Sequence, residues 1–465
     1  MVPTRPPAGP RGALGRSGRG HRARFAALSE RWVNWSGEQR CAPVRIERPR
    51  SEDEVVAAVR RAAGEGLRIR VSASGHSFTD IACTDEVMLR MDALDRILSV
   101  DGTLVEVEAG ITLHRLGAEL AQRGLAMENQ GDIDRQQLAG ALATATHGTG
   151  ATFPNLSAQV AALRLVTADG EVRALTPEAD PEAFRAARVS LGALGVITGV
   201  TLRCVPLFTL QRLDLPRGLD ETLAALDDLV AANDHFEFYG FPYTGRVMTR
   251  ESERSQRDTE PTEAWKRWLN DVVAENAIPS AIFWAGRAAP RIIPALNRRI
   301  VPLMQPSRVV DHAYRVYASR RNIKFTEMEY GIPRAAGAEA IRRVVDLIER
   351  RRLPVSMPYE VRFTKGDDAL LSTAAARDTC YIAVHQYRGM DFDSYFRGVE
   401  RIMDDYDGRP HWGKRHFQTA ATLAPRYPEW DTFQAVRARL DPDGVFTNDY
   451  VERVLGVKEK GSVPL

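Results

Sequence analysis

The sequence predicts an α+β fold divided between two domains. Its 465 residues are too many for a single compact core, which makes two domains the default expectation. In the first half, a strand, a helix and a second strand are followed by short paired strands and by two loops of small residues. In the second half, long helical segments alternate with strands of period two, which predicts a sheet covered by helices.

Composition excludes several classes of protein. Apolar residues make up 44% and charged residues 27%, as in an ordinary soluble globular protein, and a formal charge of +2 gives no reason to expect nucleic acid. The cysteines Cys41, Cys83, Cys204 and Cys380 are far apart in the chain. Neither a zinc site nor a disulfide framework is therefore indicated, and a reducing cytoplasm is the expected compartment.

One apolar run, from Pro279 to Met304, is the nearest approach to a membrane segment. It is interrupted by Arg287, Arg291, Arg298 and Arg299 and therefore does not read as a span. We expect an amphipathic helix packed on its own domain. The alternative is an interfacial helix that holds the protein peripherally at a membrane.

The chain should become ordered only after an N-terminal extension. Residues 1–24 are rich in Arg, Gly and Pro, contain no acidic residue and are expected to be disordered. Apolar residues at helical spacing predict a helix from Arg24 to Trp35. Ser51 then caps a helix that ends near Gly64, and Leu67 to Val71 forms the strand that leads into the first loop of small residues.

That first loop could hold an anion. It places one histidine, His76, among the small residues Ser72, Ala73, Ser74, Gly75 and Ser77. Small side chains expose the backbone N–H groups, and such a nest suits an anion such as a pyrophosphate. From the residues alone, His76 could be a core residue, a base, a ligand or a point of covalent attachment.

A second loop of small residues runs from Gly140 to Gly150 and also lets a ligand approach the backbone closely. Between the two loops, Asp101-Gly102 predicts a hairpin, and a helix is expected from Thr112 to Arg123. No G-x-G-x-x-G opens a helix after the first strand, which argues against a dinucleotide Rossmann unit. Pro206 marks a plausible domain boundary.

Two strands of the second half carry polar side chains on one face. The strongest strand signals there are Phe236–Phe241, Val361–Phe363 and Cys380–Tyr387. Period two places Glu360 beside Arg362, a pair that can bind a polyol hydroxyl and stabilise a developing anion. The alternative is a salt-bridged, exposed sheet face. His385 and Tyr387 likewise share a face, although a histidine in an apolar strand is usually structural.

The segment from Arg409 to His416 combines two histidines, a tryptophan and three cations. It could serve an anionic ligand or cofactor, and the alternative is a basic surface loop. A metal site is disfavoured because no carboxylate or cysteine in the segment completes it.

Taken together, these segments resemble the aldonolactone oxidoreductases of the vanillyl-alcohol-oxidase flavoprotein superfamily, such as gulonolactone and arabinonolactone oxidases. The resemblance covers roughly Trp35 to Val454. It is carried by Gly75-His76-Ser77, Ala145-Thr146-His147-Gly148-Thr149-Gly150, Glu360-Val361-Arg362-Phe363, His411-Trp412-Gly413-Lys414 and Leu440-Asp441-Pro442. It implies a PCMH-type FAD-binding domain over residues 25–206, a substrate-binding cap domain over 207–415, and a C-terminal segment, 416–465, that returns to the FAD domain.

The resemblance also implies the cofactor and the roles of individual residues. FAD is expected, bonded covalently through His76. The other implied cofactor contacts are Ser72, Ala73, Ser74, Gly75, Ser77, Gly131, Gly140, Thr144, Thr146, His147, Gly148, Val196 and Lys414. The implied substrate contacts are Glu327, Glu360, Arg362, His385 and Tyr387, and the implied catalytic residues are Glu360, Arg362, His385 and Lys414.

The implied reaction oxidises the C2 hydroxyl of L-gulono- or D-arabinono-1,4-lactone to a 2-keto lactone, with hydride transfer to flavin N5. O2 is the expected acceptor, giving hydrogen peroxide, because Gly131 stands where galactonolactone dehydrogenase has an alanine that screens the flavin. The alternatives are a dehydrogenase that passes electrons to a cytochrome or another acceptor, an alditol oxidase, and a non-catalytic carbohydrate-binding protein with a flavin fold.

Overall fold

The computed structural model describes residues 30–260, 278–318 and 323–457. The N-terminal extension 1–24 and a helix that the sequence predicts from Glu263 to Asn276 lie outside these residues. Among the described helices, none combines the length and the apolar character needed to cross a membrane.

The strands are numbered here in chain order. They are β1 Trp32–Val33, β2 Arg40–Cys41, β3 Arg45–Glu47, β4 Ile69–Ser72, β5 Val87–Arg90, β6 Ile97–Asp101, β7 Leu104–Glu108, β8 Leu125–Ala126, β9 Val160–Val166, β10 Val172–Leu175, β11 Val196–Arg203, β12 Val205–Pro206, β13 Thr209–Gly218, β14 His235–Phe241, β15 Arg246–Ser255, β16 Ser307–His312, β17 Phe325–Pro333, β18 Tyr359–Thr364, β19 Thr379–Tyr387 and β20 Arg409–Pro410.

The α-helices are Glu52–Gly64, Leu113–Ala121, Leu138–Ala143, Pro181–Arg188, Leu219–Ala224, Leu226–Ala232, Ile278–Ala288, Ile293–Ile300, Ala313–Tyr317, Gly337–Arg350, Asp393–Asp404, Ala420–Leu423, Trp430–Leu440 and Asp449–Leu455. Short 3-10 turns occupy Leu156–Gln159, Pro290–Ile292, Val301–Leu303, Arg334–Ala336 and Ala424–Arg426.

The predicted helix from Arg24 to Trp35 is wrong in its described part. Trp32 pairs with Cys41 across a small hairpin formed by β1 and β2. The Asn34 carboxamide oxygen accepts the N–H groups of Glu38 and Gln39, both at 3.0 Å, and closes the turn of this hairpin. Local side-chain hydrogen bonds of this kind compete with helix formation, and here they override the helical spacing of the aromatic residues.

The first half of the chain contains two larger sheets beside the two-stranded pairs β1-β2 and β8-β12. A parallel sheet has the order β3-β5-β4, and the helix Glu52–Gly64 packs on it through Val55 and Val59. Ser51 Oγ accepts the Glu54 N–H at 3.2 Å, so the predicted cap is present. An antiparallel sheet has the order β10-β9-β11-β7-β6. Its β6–β7 hairpin confirms the Asp101-Gly102 turn, with Gly102 at a φ of +57°.

An eight-stranded antiparallel sheet dominates the second half, in the order β16-β13-β15-β14-β18-β19-β17-β20. The helices Gly337–Arg350 and Asp393–Asp404 cover one face, where they pack against side chains such as Met328, Val361 and Ile382. Because side chains alternate along a strand, the polar residues between those apolar ones must point to the opposite face. That opposite face forms one wall of the site described below.

The last part of the chain packs on the first half. Leu423, Phe433 and Tyr450 belong to the same hydrophobic core as Val105 of β7 and Leu163 of β9. Asn448 fixes this contact further, because its carboxamide donates to the carbonyl oxygens of residues 80, 81 and 83. The C-terminal helices therefore hold the loop that follows the first stretch of small residues.

Candidate active site

A cleft of about 950 Å³ runs along both loops of small residues. Its lining residues include Ala73, Ser74, Gly75, His76, Ser77, Gly140 and Thr144. Gly75 has a φ of +69°, a left-handed conformation that favours glycine. A Cβ at Gly140 would lie only 2.7 Å from the Ala73 Cβ, so a residue without a side chain lets the helix Leu138–Ala143 lie against the first loop.

His76 lies where this cleft meets a second cavity of about 650 Å³, because it lines both. Its ring stacks on Trp35, with ring centroids 5.5 Å apart and an interplanar angle of 25°. Burial, together with the charge of Lys324, lowers the pKa of His76 to about 4. At neutral pH the imidazole is therefore uncharged and retains a lone pair that can act as a nucleophile.

The second cavity lies between the first half of the chain and the polar face of the eight-stranded sheet. Gly131, Thr144, Thr146 and His147 line it from the first half, and Glu327, Glu329, Glu360, Arg362, His385, His411 and Lys414 line it from the second. Six residues of the second group are buried, and the seventh, Lys414, is partly exposed. The cavity therefore concentrates ionisable side chains in a largely buried place.

Arg362 is the cation at one end of the cavity. Its guanidinium pairs with Glu360, with Glu237 at 2.8 Å and with Asp132 at 3.3 Å. Burial opposes the charge, but these carboxylates outweigh burial and hold the pKa of Arg362 well above its ordinary value. Tyr239 donates a hydrogen bond of 3.1 Å to Glu360 Oε1, which fixes the carboxylate beside the guanidinium.

Lys414 is the cation at the other end. Its ammonium contacts Glu327 and lies 3.1 Å from Glu329 Oε2. Although burial opposes the charge, the two carboxylates raise the pKa of Lys414. Burial likewise opposes the negative charge of Glu329, yet Lys414 and His147 hold its pKa well below the ordinary value. These groups are therefore charged at neutral pH.

His385 joins the Lys414 group through Glu327. Its Nε2 lies 3.4 Å from Glu327 Oε1, and its Nδ1 lies 2.8 Å from the Pro358 carbonyl oxygen. Both partners are hydrogen-bond acceptors, so both ring nitrogens are suited to carry a proton. Burial disfavours that charge, but Glu327 more than compensates and raises the pKa of His385.

The fold supplies the carboxylate that the segment 409–416 lacks for binding a metal. His147, Glu329 and His411 offer ligand atoms that lie within 4.8 Å of one another, so the sequence-based reason for disfavouring a metal is wrong. However, Lys414 already provides a positive charge to Glu329, and His411 Nδ1 accepts the Gly413 N–H at 3.1 Å. The expectation of no metal stays a prediction, now based on these contacts.

Four predicted contacts fall outside the two cavities. Tyr387 lies beyond them and packs against Phe283, with ring centroids 5.8 Å apart. Val196 points into the hydrophobic core, while its neighbours Gly195 and Ile197 line the cleft. The remaining two are Ser72, which is buried at the end of β4, and Gly148, which lines a smaller adjoining cavity.

Some residues that shape the site were not singled out from the sequence as site residues. They are Asp132, Glu237, Tyr239 and Glu329. Glu237 and Tyr239 are two residues apart on a predicted strand and therefore share a face. Glu327 and Glu329 share a face of another strand in the same way. The same-face argument used for Glu360 and Arg362 could have found all three of these, whereas Asp132 lies in a loop without such a signal.

The residues present fit FAD. The cleft offers small side chains and exposed backbone at the first loop, as a pyrophosphate requires. Two buried polar atoms on the walls, Gln137 Oε1 and Thr146 Oγ1, have no hydrogen-bond partner within the described ranges. A cofactor rich in hydrogen-bonding groups can satisfy such atoms.

Sequence comparisons show which known proteins the chain resembles. Residues 200–454 match the D-arabinono-1,4-lactone oxidase family, and residues 43–176 match an FAD binding domain. The L-gulono-1,4-lactone dehydrogenase of Mycobacterium tuberculosis is 58% identical over 431 residues, covering 92% of this chain and 100% of the relative. The L-gulonolactone oxidase of Bos taurus is 34% identical, covering 91% and 98%. The alditol oxidase of a Streptomyces species is 33% identical, covering 92% and 100%.

The fold also has a solved counterpart. A crystal structure of cholesterol oxidase from B. sterolicum superposes with a TM-score of 0.78, covering 92% of this chain and 97% of that chain at 19% identity. This likeness concerns the fold alone. Together with the two family matches, it identifies the PCMH-type flavoprotein architecture that the resemblance implied. The chain therefore belongs to the D-arabinono-1,4-lactone oxidase family and is an FAD-dependent oxidoreductase of the vanillyl-alcohol-oxidase superfamily.

Proposed function

We propose that this enzyme oxidises the C2 hydroxyl of an aldono-1,4-lactone, L-gulono- or D-arabinono-1,4-lactone, to the 2-keto lactone. The observation that carries the proposal is the pair of cations, buried Arg362 and partly exposed Lys414, that line one cavity together with His76. Relatives named for L-gulono-1,4-lactone and L-gulonolactone support the substrate class. The bound FAD supplies the acceptor for the hydride.

Arg362 and Lys414 would stabilise the negative charge that the hydride carries from the substrate to the FAD held in this site. Both are held charged by buried carboxylates and cannot reorient freely, so their charge is in place before the reaction. Fixed charge of this kind, within a site that excludes water, typically contributes about 10²–10³ in rate per group.

Glu360 positions the lactone. Its carboxylate is oriented by Arg362 and Tyr239 and lines the cavity, where it can accept hydrogen bonds from the sugar hydroxyls. His385 holds the Glu327 carboxylate, which lines the same cavity and can accept hydrogen bonds from other lactone hydroxyls. Holding both sides of a small substrate fixes its C–H bond relative to the cofactor.

We infer that FAD is bonded covalently to His76. The support is a neutral imidazole at the junction of the two cavities, held in place by its stacking on Trp35. Wild-type protein should keep its yellow colour in the pellet after acid precipitation, and His76→Ala should release it. His114→Ala is the matched control, since His114 lies outside both cavities and pairs with Asp134 at the surface. Release of all flavin from the wild type would disprove the bond.

The electron acceptor remains a separate proposal. We expect O2 as the acceptor, as the lack of a side chain at Gly131 implied. A Cβ at Gly131 would lie 3.2 Å from the His147 carbonyl oxygen, so the space that a side chain would occupy there faces protein. A redox protein is the second candidate, supported by the 58% identical relative that is named a dehydrogenase. Reduced enzyme should be exposed to air while flavin absorbance and hydrogen peroxide are recorded. Fast reoxidation with peroxide supports O2, and slow reoxidation accelerated by a cytochrome supports a dehydrogenase.

An alditol is the second candidate substrate because a relative at 33% identity is named alditol oxidase. Steady-state kcat/KM should be measured with a dye acceptor for gulono-, arabinono- and galactono-lactones and for xylitol. We expect at least one lactone to exceed xylitol by about 10-fold or more, as one well-placed hydrogen-bonded group can discriminate. A higher value for xylitol would reassign the substrate.

A cytoplasmic location with peripheral membrane contact stays a proposal. Trp284 and Leu303 are exposed large apolar side chains in the arginine-rich region 279–304. Cell fractionation that recovers the protein with membranes at low salt and releases it at high salt would support the peripheral contact.

A further inference from the structure

Two of the cysteines that are distant in sequence meet beside the FAD cleft. Cys41 ends the β1–β2 hairpin, and Cys83 lies in the loop that follows the first loop of small residues. The segments that carry them lie side by side, because the Val44 N–H donates to the Asp85 carbonyl at 3.1 Å, and the two thiols are within hydrogen-bonding reach of each other. Both side chains are free thiols and partly exposed, so a small oxidant can reach them.

Each cysteine is tied to an element that borders the cofactor. The hairpin that ends at Cys41 is hydrogen-bonded to the loop 75–78. The Trp35 N–H donates to the Gly75 carbonyl at 2.7 Å, and Gln39 Nε2 donates to the Phe78 carbonyl at 2.9 Å. On the other side, the residues just before Cys83, at 81 and 82, line the cleft itself. A bond between the two sulfurs would therefore close a ring around the loop that carries His76.

We propose that Cys41 and Cys83 form a reversible disulfide, with hydrogen peroxide as the oxidant, and that this bond clamps the N-terminal hairpin onto the loop that holds FAD. The chemistry needs no other reactant. The Cys41 thiolate attacks one oxygen of peroxide, the O–O bond breaks, and a sulfenic acid and hydroxide form. The Cys83 sulfur then attacks the Cys41 sulfur, the S–S bond forms, and the sulfenic oxygen leaves as water. Two thiols and one peroxide give one disulfide and two waters.

The environment assigns the two cysteines different roles. Interaction with the Cys83 thiol, partly opposed by burial, lowers the pKa of Cys41 to about 7, while contact with Cys41 and burial raise the pKa of Cys83. Cys41 is thus the thiolate that reacts first, and Cys83 is the resolving thiol. The other cysteines, Cys204 and Cys380, are buried, and burial raises the pKa of both. They serve as internal controls that should remain reduced.

The test uses reduced holoenzyme treated with hydrogen peroxide, alkylated and digested with trypsin. Cleavage at the flanking arginines places Cys41 in peptide 41–45 and Cys83 in peptide 71–90, which also contains His76 and is therefore sought with and without attached flavin. We expect these two peptides to appear joined, to separate on treatment with dithiothreitol, and to stay separate in Cys83→Ser. Because peroxide is added, the result does not depend on which acceptor the enzyme uses. Recovery of both peptides as alkylated thiols, or Cys41 as sulfinic acid beside a free Cys83, would overturn the disulfide.

A second measurement tests the clamp. Oxidised wild-type protein should melt about 2–4 °C above the reduced form, because the bond closes a long loop of the unfolded chain. The Cys41→Ser/Cys83→Ser double variant should show no such difference between treated and untreated protein. A joined peptide without a rise in melting temperature would overturn the clamp while leaving the disulfide.

Discussion

At the scale of single residues, the site is a balance between buried carboxylates and two cations. Arg362 and Lys414 each face more than one acidic group, and the pKa of each cation is raised in consequence. The sequence predicted the same-face pair Glu360 and Arg362 from period two alone. The same argument could have singled out Glu237 as well, but not its pairing with Arg362, because that contact depends on which strands become neighbours.

The charge of Arg362 can be tested by two substitutions. Arg362→Gln should lower the rate of flavin reduction by about 10²–10³, and by leaving buried carboxylates unpaired should destabilise the fold by about 3–5 kcal/mol. Arg362→Lys keeps the charge but loses the planar fork, so it should fold and still be slower than the wild type. Rapid mixing with the lactone measures both rates.

The matched control for these variants is Arg308→Gln. Arg308 is a more exposed strand residue that pairs with Glu260 at 2.8 Å, and exposed pairs contribute little, so rate and stability should stay close to wild type. A wild-type rate of flavin reduction in Arg362→Lys would show that the guanidinium geometry is irrelevant to the reaction.

The raised pKa of His385 makes a prediction about pH. A group whose pKa is higher in the folded protein stabilises the fold fully below its unfolded pKa and loses that contribution as pH rises through the folded pKa. The difference in unfolding free energy between wild type and His385→Asn should therefore shrink as the pH is raised above neutral. Denaturant titrations across a pH series measure it. A difference that is constant or grows with pH would contradict the protonated state of His385.

At the scale of elements, the small residues of the two loops let the backbone lie close to a ligand or to a neighbouring element. The sequence identified both loops because glycine, alanine and serine cluster there, and it identified the Ser51 cap and the Asp101-Gly102 hairpin from local chemistry. It missed the β1–β2 hairpin, where aromatic residues at helical spacing belong to a strand and a turn. The Asn34 turn and the packing of Trp32 on the Gly75 loop favour that structure, and the helical spacing of the aromatic residues reports neither contact.

Gly140 and Gly64 form a matched pair of helical glycines. A Cβ at Gly140 would meet the Ala73 Cβ at 2.7 Å, whereas a Cβ at Gly64 would meet nothing within 4 Å. Gly140→Ala should cost about 1–3 kcal/mol of stability and reduce the flavin content of the purified protein. Gly64→Ala should be neutral or stabilising by up to about 1 kcal/mol. Equal melting temperatures and flavin contents for the two variants would refute the close-approach argument.

At the scale of the whole molecule, the site exists because two halves of the chain meet. The sequence predicted an α+β fold with a helix-covered second sheet, and both are found. It could not order the eight strands, since β14 and β18 are neighbours although more than a hundred residues separate them. The boundaries at 206 and 415 stay a proposal, supported by the packing of Leu423, Phe433 and Tyr450 on the core of the first half.

The central claim is that an aldonolactone reduces the flavin held between these halves. The most direct measurement mixes oxidised holoenzyme with L-gulono- or D-arabinono-1,4-lactone in the absence of oxygen and of any other acceptor, and follows the flavin absorbance. We predict that at least one of the two lactones bleaches the flavin fully in a single turnover, and that Glu360→Gln slows the bleaching. A flavin that stays oxidised with every aldono-1,4-lactone, in protein that is folded and fully loaded, would contradict the claim.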